Sequence, residues 1–264
     1  MSNAPPSHAS RLLGNVLLST ATFCIFLLGW EAIVRGFSIS KIVLPAPSAV
    51  ALAFWESARE GELHWHLAVT VYEVLAGFVV GSAGGLILGF LIALSPLLER
   101  IFYPYVVAFQ VMPKVVLAPI FITWFGLGIE SKIVMAIAIS FFPVVINTVV
   151  GLESVEENAM LLMRSLVASR RQIFWKLAWP AALPSIFAGL KTSLTLALIG
   201  ALVAEFVTAK DGLGTLIITF SFELKVYLVF AVIVVVSVLG LALYGIMEYL
   251  DRKVVFWRQS HFTG

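Results

Sequence analysis

Six long apolar runs divide the chain, and polar stretches separate them. They cover residues 14–35, 67–94, 103–125, 131–150, 184–208 and 226–250. A helix needs about 20 apolar residues to cross the hydrocarbon core of a bilayer. The pattern therefore predicts an all-α, polytopic membrane protein with about six transmembrane helices.

Composition agrees with this prediction. The chain has 264 residues, of which 61% are hydrophobic and 12% are charged, whereas soluble domains have about a quarter charged. The net charge of +2 predicts no nucleic-acid partner. Cys24, the only cysteine, lies in an apolar run and is interpreted as a packing residue. The close pair His64 and His66 has no cysteine or acid at ligand spacing, so no metal site is predicted.

A shorter amphipathic segment follows the first apolar run, which is interpreted as an uncleaved span. "LPAPSAV" contains Pro45 and Pro47, which interrupt a helix, and Ser48, which can cap the next one. Residues 48–63 then place apolar side chains at helical spacing. This predicts a short helix at the membrane surface.

Small residues recur every fourth position in the second run, at Gly77, Gly81, Gly85 and Gly89. They form one stripe on a helix, and small residues allow another helix to approach closely in lipid. Two interpretations are open: packing inside one subunit, or a contact between subunits.

Prolines interrupt the third run at Pro104, Pro113 and Pro119, and Pro143 interrupts the fourth. Each interior proline removes a backbone hydrogen bond and favours a kink. Broken helices persist at membrane depth where the freed groups face protein or a water-lined path. These spans are therefore better suited to a solute path than to a static anchor.

Polar residues inside the runs are the candidates for that path, because ionisable groups there are costly and are often functional. Glu31, Glu73 and Glu205 could instead reach headgroups or a neighbouring helix, and Lys191 could extend to the cytoplasmic surface. Lys114 could line a path for an anionic or polar solute or form an ion pair. Hydroxyls such as that of Thr195 often bond their own helix backbone. The candidate path residues are Lys114, Asn147, Lys191, Thr195 and Glu205.

The segment between the fourth and fifth runs is rich in basic residues. With the N-terminus in the cytoplasm, nine lysines and arginines lie on the cytoplasmic side and six outside, so this segment is cytoplasmic. We predict two short helices between Val155 and Pro180. Their apolar stripe, formed by Leu162, Leu166, Ile173 and Leu177, could enter a groove on a partner or rest on anionic lipid. The chain has no phosphate-binding loop, so it is predicted to bind no cofactor itself.

This segment resembles the "EAA" loop of bacterial ABC importer permeases, whose pattern is E-A-A, three residues, G, nine residues, I-x-L-P. "RSLVASRRQIFWKLAWPAALP" is similar to the common form of that loop. "LPAPSAV", "PKVVLAPIFITWFGLG", "FFPVVINTVVGL", "LIGALVAEF" and "GLGTLI" resemble the nitrate/sulfonate/taurine branch. Within that branch, the chain is similar to members assigned to pyrimidine precursors of thiamine or to riboflavin.

The resemblance implies a type I ABC importer permease fold and a coupling helix that docks in a separate ATPase subunit. The implied partners are two ATPase subunits, which hold ATP and Mg²⁺, a solute-binding protein, a second copy of the permease and membrane lipid. The chain itself would not be an enzyme. The implied coupling-loop residues are Leu161, Leu162, Met163, Arg164, Ser165, Leu166, Val167, Ala168, Ser169, Arg170, Phe174 and Pro180.

The loop departs from the family pattern at three positions. Leu161 replaces the family glutamate, Met163 replaces an alanine and Val167 replaces the glycine. Because valine resists a positive φ, we expect that the two helices join by a different turn or run on as one.

The resemblance implies that the chain resides in the bacterial inner membrane with both termini in the cytoplasm. Its predicted divisions are 1–63 (tail, first span and amphipathic segment), 64–250 (permease domain with coupling loop 151–182) and 251–264 (cytoplasmic tail). The alternative function is a self-sufficient secondary transporter or channel, which would need an internal repeat. A membrane enzyme is less consistent with the sequence, because no histidine lies inside a span.

Overall fold

Every regular element is helical in residues 8–208 and 210–257, which are the part of the chain that the computed structural model describes. The elements are α1 (His8–Gly36), α2 (Pro47–Glu60), α3 (Glu62–Ala93), α4 (Pro96–Val111), a 3₁₀ turn (Lys114–Leu117), α5 (Ala118–Phe125), α6 (Ile129–Glu153), α7 (Glu157–Ser165), α8 (Arg170–Ile173), a π-helical turn (Phe174–Ala178), α9 (Trp179–Thr208), α10 (Leu213–Phe222) and α11 (Val226–Val254). The predicted all-α class is confirmed. The tail residues 1–7 and 258–264 lie outside the described part of the chain.

In the described part of the chain, five helices are long and apolar enough to cross a membrane, and a bent pair of helices passes the same test only when its two halves are taken together. The five cover Leu17–Gly36, Leu63–Ala93, Ile129–Glu153, Arg170–Thr208 and Val226–Val254. The pair joins Pro96–Val111 to Lys114–Phe125 at an angle of 86°. This agrees with the prediction of about six transmembrane helices.

The third predicted span, 103–125, is not one kinked helix but two helices with a break. Only Pro113 lies at that break, since α4 ends at Val111 and the 3₁₀ turn starts at Lys114. Pro104 is inside α4, and Pro119 is in the first turn of α5, where a missing N–H has no cost. Pro143 likewise lies inside an unbroken α6.

Helix α6 lies at the centre of the fold, between α3 and α9. The glycine stripe of α3 faces it: a methyl group at Gly85 would lie 2.7 Å from the carbonyl oxygen of Phe141, and one at Gly89 would lie 2.7 Å from the Cβ of Thr148. On the other side, a methyl group at Gly189 of α9 would lie 2.6 Å from the Cβ of Asn147. The stripe therefore packs inside one subunit, as the first of the two interpretations held.

The predicted amphipathic helix is α2, but Ser48 does not cap it. Ala46 occupies the cap position and Pro47 the first turn. The backbone N–H of Ser48 donates to Glu31 at 3.0 Å, and its hydroxyl donates to the same carboxylate at 2.8 Å. Arg35 also pairs with Glu31 at 2.5 Å. Glu31 thus joins α1 to α2 and does not extend to headgroups.

Helix α10 was not predicted, because its ten residues are too few to span a bilayer. Its apolar side chains Leu213 and Leu216 pack with Leu63, Val232 and Val235. It fills a corner between α3, α9 and α11.

Candidate functional site

The predicted coupling loop contains a turn that the sequence argues against. Helix α7 ends at Ser165, and Val167 adopts a φ of +54°. The N–H of Val167 donates to the carbonyl of Arg164, and the N–H of Ala168 donates to that of Met163, both at 3.0 Å. These two bonds form a Schellman motif, in which the residue with positive φ is usually glycine.

Our expectation of a different turn or one continuous helix was therefore wrong. Valine occupies the glycine position and takes the glycine conformation. A positive φ costs a β-branched residue roughly 1–2 kcal/mol. The two hydrogen bonds that close helix α7 offset part of this cost.

Helix α8 starts with a complete capping box. The Ser169 hydroxyl accepts a hydrogen bond from the N–H of Gln172 at 3.3 Å, and the Gln172 side chain accepts one from the N–H of Ser169 at 2.8 Å. This arrangement satisfies two of the free N–H groups at the start of a helix. The loop is thus fixed on both sides of Val167.

The second short helix does not end before the membrane. Helix α8 continues through the π-helical turn into α9, so that residues 170–208 form one uninterrupted helical rod. Pro180 lies in the first turn of α9 and Pro184 lies inside it. The second of the two predicted short helices therefore does not end at Pro180 but continues into the fifth span.

The exposed surface of this loop is apolar at the tip and carries basic side chains around the tip. Leu161, Leu162 and Leu166 are 54%, 60% and 69% exposed, and Val167 is 90% exposed. Arg164, Arg170, Arg171 and Lys176 are also exposed, and no described residue forms an ion pair with them. Ile173 and Leu177 are half-buried. Only the first half of the predicted apolar stripe is therefore free.

An aromatic cluster attaches the base of the loop to α3. The ring centroids of Phe174 and Trp179 lie 6.3 and 5.4 Å from that of Phe90. Trp175 packs against Trp179 at 6.2 Å. Edge and tilted contacts of this kind stabilise a packed cluster beyond its buried area. The loop is therefore connected mechanically to two spans, α9 directly and α3 through Phe90.

Lys191 pairs with acidic residues near the end of α11. Its ammonium group forms an ion pair with Asp251 at 2.5 Å and another with Glu248. Arg252 pairs with the other oxygen of Glu248 at 2.9 Å. These contacts join α9 to α11 and leave the group of four charges neutral.

An open cavity of about 490 Å³ lies beside this cluster. Lys191, Thr192, Thr195 and Tyr244 contribute its polar lining. Thr195 donates its hydroxyl hydrogen to the carbonyl of Lys191 at 3.1 Å, which agrees with the backbone-bonding interpretation. Two of the predicted path residues, Lys191 and Thr195, thus line one cavity.

Glu205 and Glu73 lie in a closed network and do not reach headgroups. Both side chains are fully buried. Glu205 accepts hydrogen bonds from the Thr70 hydroxyl at 2.6 Å and from the N–H of Gly214 at 2.5 Å. Lys132 pairs with Glu73 at 3.0 Å. Groups on neighbouring helices, not lipid headgroups, therefore hydrogen-bond to Glu205 and form an ion pair with Glu73.

The same network holds the loop before α10. Lys132 donates to the carbonyl of Asp211 at 2.6 Å. The N–H of Gly212 donates to His66 at 2.8 Å, and that of Leu213 donates to Thr70 at 2.8 Å. Side chains of α3, α6 and α9 thus bond the backbone that precedes and starts the short helix.

Asn147 and Lys114 have neutral partners. The Asn147 amide donates to the carbonyl of Pro143 at 2.8 Å, and its backbone oxygen accepts from Ser185 at 2.9 Å. Asn147 thus lies at the α6–α9 contact. The Lys114 ammonium donates to the carbonyl of Gln110 at 3.0 Å and lies 5.0 Å from the centre of the Phe142 ring. The ion-pair interpretation of Lys114 is not supported by any described carboxylate.

Comparison with known proteins identifies the fold and the family. Residues 85–256 match the family described as the inner membrane component of binding-protein-dependent transport systems. The chain belongs to this family. It is therefore a membrane component of an ABC import system, and we call it the permease below.

The permease is similar to relatives with different named solutes. It is 34% identical over 232 residues to the putative aliphatic sulfonates transport permease protein SsuC of Bacillus subtilis, covering 88% of this chain and 84% of that protein. It is 35% identical over 239 residues to the riboflavin transport system permease protein RibX of Chloroflexus aurantiacus, covering 90% and 89%. It is 32% identical over 241 residues to the formylaminopyrimidine transport permease protein ThiX of Halalkalibacterium halodurans, covering 91% and 96%.

A solved structure supports the fold independently. The permease aligns with a chain of the MetNI methionine ABC transporter with a TM-score of 0.61 and 19% identity. The alignment covers 72% of the permease and 97% of the other chain. The permease thus has the ABC transporter permease fold that the resemblance implied.

Sequence reasoning about the permease missed the partners of the buried charges. Glu248 and Asp251 follow Lys191 by 57 and 60 residues, so spacing along the chain cannot reveal the cluster. Thr70 and His66 precede the loop that they bond by more than 140 residues. The one available signal was charge: acids near the end of the last span require a partner in a membrane.

Proposed function

We propose that this permease conducts a small solute across the bacterial inner membrane. A separate ATPase subunit would power transport by binding the loop of residues 157–178 and moving the membrane helices attached to it. The observation that carries this proposal is the exposed apolar tip formed by Leu162, Leu166 and Val167, held by a closed turn and a capping box. An apolar ridge on a rigid helix is suited to a groove on another protein.

The cations around the tip favour the same partner. Arg164, Arg170 and Arg171 are exposed and could meet acidic residues at the rim of a groove, where charges guide association. The chain has no phosphate-binding loop, so ATP and Mg²⁺ belong to the partner. We propose two ATPase subunits and two permease copies, with a solute-binding protein on the outer side.

The proposed orientation places both termini and the coupling loop in the cytoplasm, and the α10 corner at the outer face. The balance of basic residues supports it. The solute path would pass the cavity at Lys191 and Thr195 and the break in the third span at Lys114. Asn147 and Glu205 would support the helices that line this path.

The class of solute is open among the relatives. Their names include aliphatic sulfonates, riboflavin and formylaminopyrimidine. Sulfonates are anions, whereas the other two are uncharged heterocycles at neutral pH. We propose a small organic solute for this permease, delivered by its binding protein.

The test is purification of the permease in detergent from its native membrane, with mass spectrometry of the proteins that accompany it. We expect an ATPase subunit and a solute-binding protein, and ATP hydrolysis that requires both the permease and the ATPase. Repeated recovery of the permease alone, with solute uptake in vesicles that lack ATP, would instead favour a self-sufficient transporter.

A further inference from the structure

Three cations are wholly or partly withdrawn from solvent in the described chain: Lys114, Lys132 and Lys191. Lys132 is paired with Glu73, and Lys191 is paired with Asp251 and Glu248. Lys114 has no described carboxylate partner. The structure thus neutralises two of these lysines and leaves the third charged.

The contacts of Lys114 stabilise its charge without cancelling it. Its ammonium group donates one hydrogen bond, to the carbonyl of Gln110, and lies over the Phe142 ring. Phe109 stacks on the same ring at 5.9 Å. An aromatic face and a carbonyl both favour a cation. An ammonium group has three donors, so two remain for another ligand.

The position of Lys114 is equally informative. It follows the break at Pro113, where the two halves of the third span meet at 86°. Broken backbone at membrane depth occurs where it is buried in protein or lines a water-filled space. Val111 and Val116, on either side of the break, are 78% and 66% exposed, so this chain alone does not bury it.

We propose that Lys114 is an anion-selecting site: it attracts a small organic anion, such as one bearing a sulfonate group, to the break in the third span. This assignment rests on the proposed function, because it gives the class of solute that the path accepts. An unpaired cation beside water concentrates anions and repels cations. The uncharged heterocycles are the class that it does not favour.

Charged thiol reagents can measure this property without knowledge of the solute. Val111 precedes Lys114 by three residues and is exposed, so Val111→Cys places a thiol at the break, and Cys24→Ala removes the only native cysteine. The complete permease, purified with any subunits that accompany it, would be placed in nanodiscs of neutral lipid. The reaction rate would be measured with a sulfonate-bearing methanethiosulfonate and with its trimethylammonium counterpart.

We expect Lys114→Gln to lower the ratio of anionic to cationic reaction rates about fivefold to tenfold, the size expected when one charge roughly 6–8 Å away in water attracts one reagent and repels the other. Lys114→Arg keeps the positive charge and should keep the ratio. A retained ratio would show that the effect of Lys114→Gln comes from the lost charge and not from misfolding. Lys225→Gln is the control, since Lys225 is exposed and paired with Glu223 at 2.7 Å, and it should change nothing. An unchanged ratio in Lys114→Gln, or a thiol that reacts with neither reagent, would overturn the assignment.

An anionic lipid headgroup carries the same negative charge as the proposed solute and is the other candidate ligand of Lys114. If phosphatidylglycerol in the nanodisc abolishes the difference in ratio between the wild type and Lys114→Gln measured in the same lipid, the lysine binds lipid and the solute assignment fails. A ratio that keeps its dependence on Lys114 supports it. Copurification of the ATPase is scored on the same samples, so that failure of the proposed function is seen separately from failure of the anion site.

Discussion

At the scale of single residues, Val167 is the position where local preference and the fold disagree. Its φ is +54° and its side chain is 90% exposed, so replacement by glycine removes strain and loses no packing. Relief of roughly 1–2 kcal/mol, less the added freedom of glycine in the unfolded chain, should stabilise the turn by about 1 kcal/mol. Hydrogen exchange of residues 163–173 should become about fivefold slower in Val167→Gly.

The matched control for Val167→Gly is Val150→Gly. Val150 is also exposed, at 45%, but lies inside α6, where glycine costs about 1 kcal/mol. Its local exchange should become faster. Equal or faster exchange in Val167→Gly would mean that the positive φ stores no strain.

Glu205 shows how one buried acid can hold the loop before α10. Glu205→Ala removes the acceptor for Thr70 and for the N–H of Gly214, at a cost of about 3 kcal/mol for two unsatisfied buried donors. We expect a lower unfolding temperature and faster tryptic cleavage at the exposed Lys210, just before the loop. Glu56→Ala, at an exposed position of α2, should leave both unchanged. Normal cleavage at Lys210 in Glu205→Ala would show that other bonds hold the loop.

At the scale of elements, the glycine stripe of α3 determines how closely α6 can approach. Gly85→Ala would place a methyl group 2.7 Å from the carbonyl oxygen of Phe141. Backbone cannot move aside cheaply, so the expected loss is about 1–3 kcal/mol. Thermal unfolding in detergent should show a lower transition temperature. Gly29→Ala in α1, with no atom within 4 Å, should be neutral or stabilising, and an equal loss in both variants would refute the packing argument.

The elements also show what the sequence could reveal. Hydrophobic run length predicted the crossing helices, and the four-residue spacing predicted the stripe of α3. The facing helix carried a matching signal that the sequence analysis missed, because Ala136, Ser140, Val144 and Thr148 of α6 also recur every fourth position and meet the stripe. Prolines predicted a weakened third span, but three prolines could not indicate which one breaks it. Pairing across more than 50 residues, as at Lys191, depends on the fold.

At the scale of the whole molecule, the predicted coupling loop and the spans pack as one connected unit. Residues 170–208 are a continuous helical rod, so movement of α8 is transmitted along α9. Phe90 links the loop to α3, and the glycine stripe links α3 to α6. Two series of contacts therefore connect the loop to the centre of the fold, one along α9 and one through α3. The ion pairs of Lys191 extend the contacts of α9 to α11.

Docking of the proposed ATPase can be separated from folding of the membrane helices by Arg170→Glu. Arg170 is exposed in the first turn of α8, where an acidic residue is favourable for the helix dipole, so the fold should remain intact. Reversal of one rim charge should weaken association on the order of tenfold or more. The measurement is the amount of ATPase recovered per permease, beside the gel-filtration profile and unfolding temperature.

Lys253→Glu is the control for Arg170→Glu. It reverses an exposed charge at the end of α11 and should leave the recovery of ATPase unchanged. Unaltered recovery of ATPase with Arg170→Glu would place the ATPase contact elsewhere on the permease. Equal loss of ATPase in both variants would show that the change in net charge, and not the position of Arg170, weakens association.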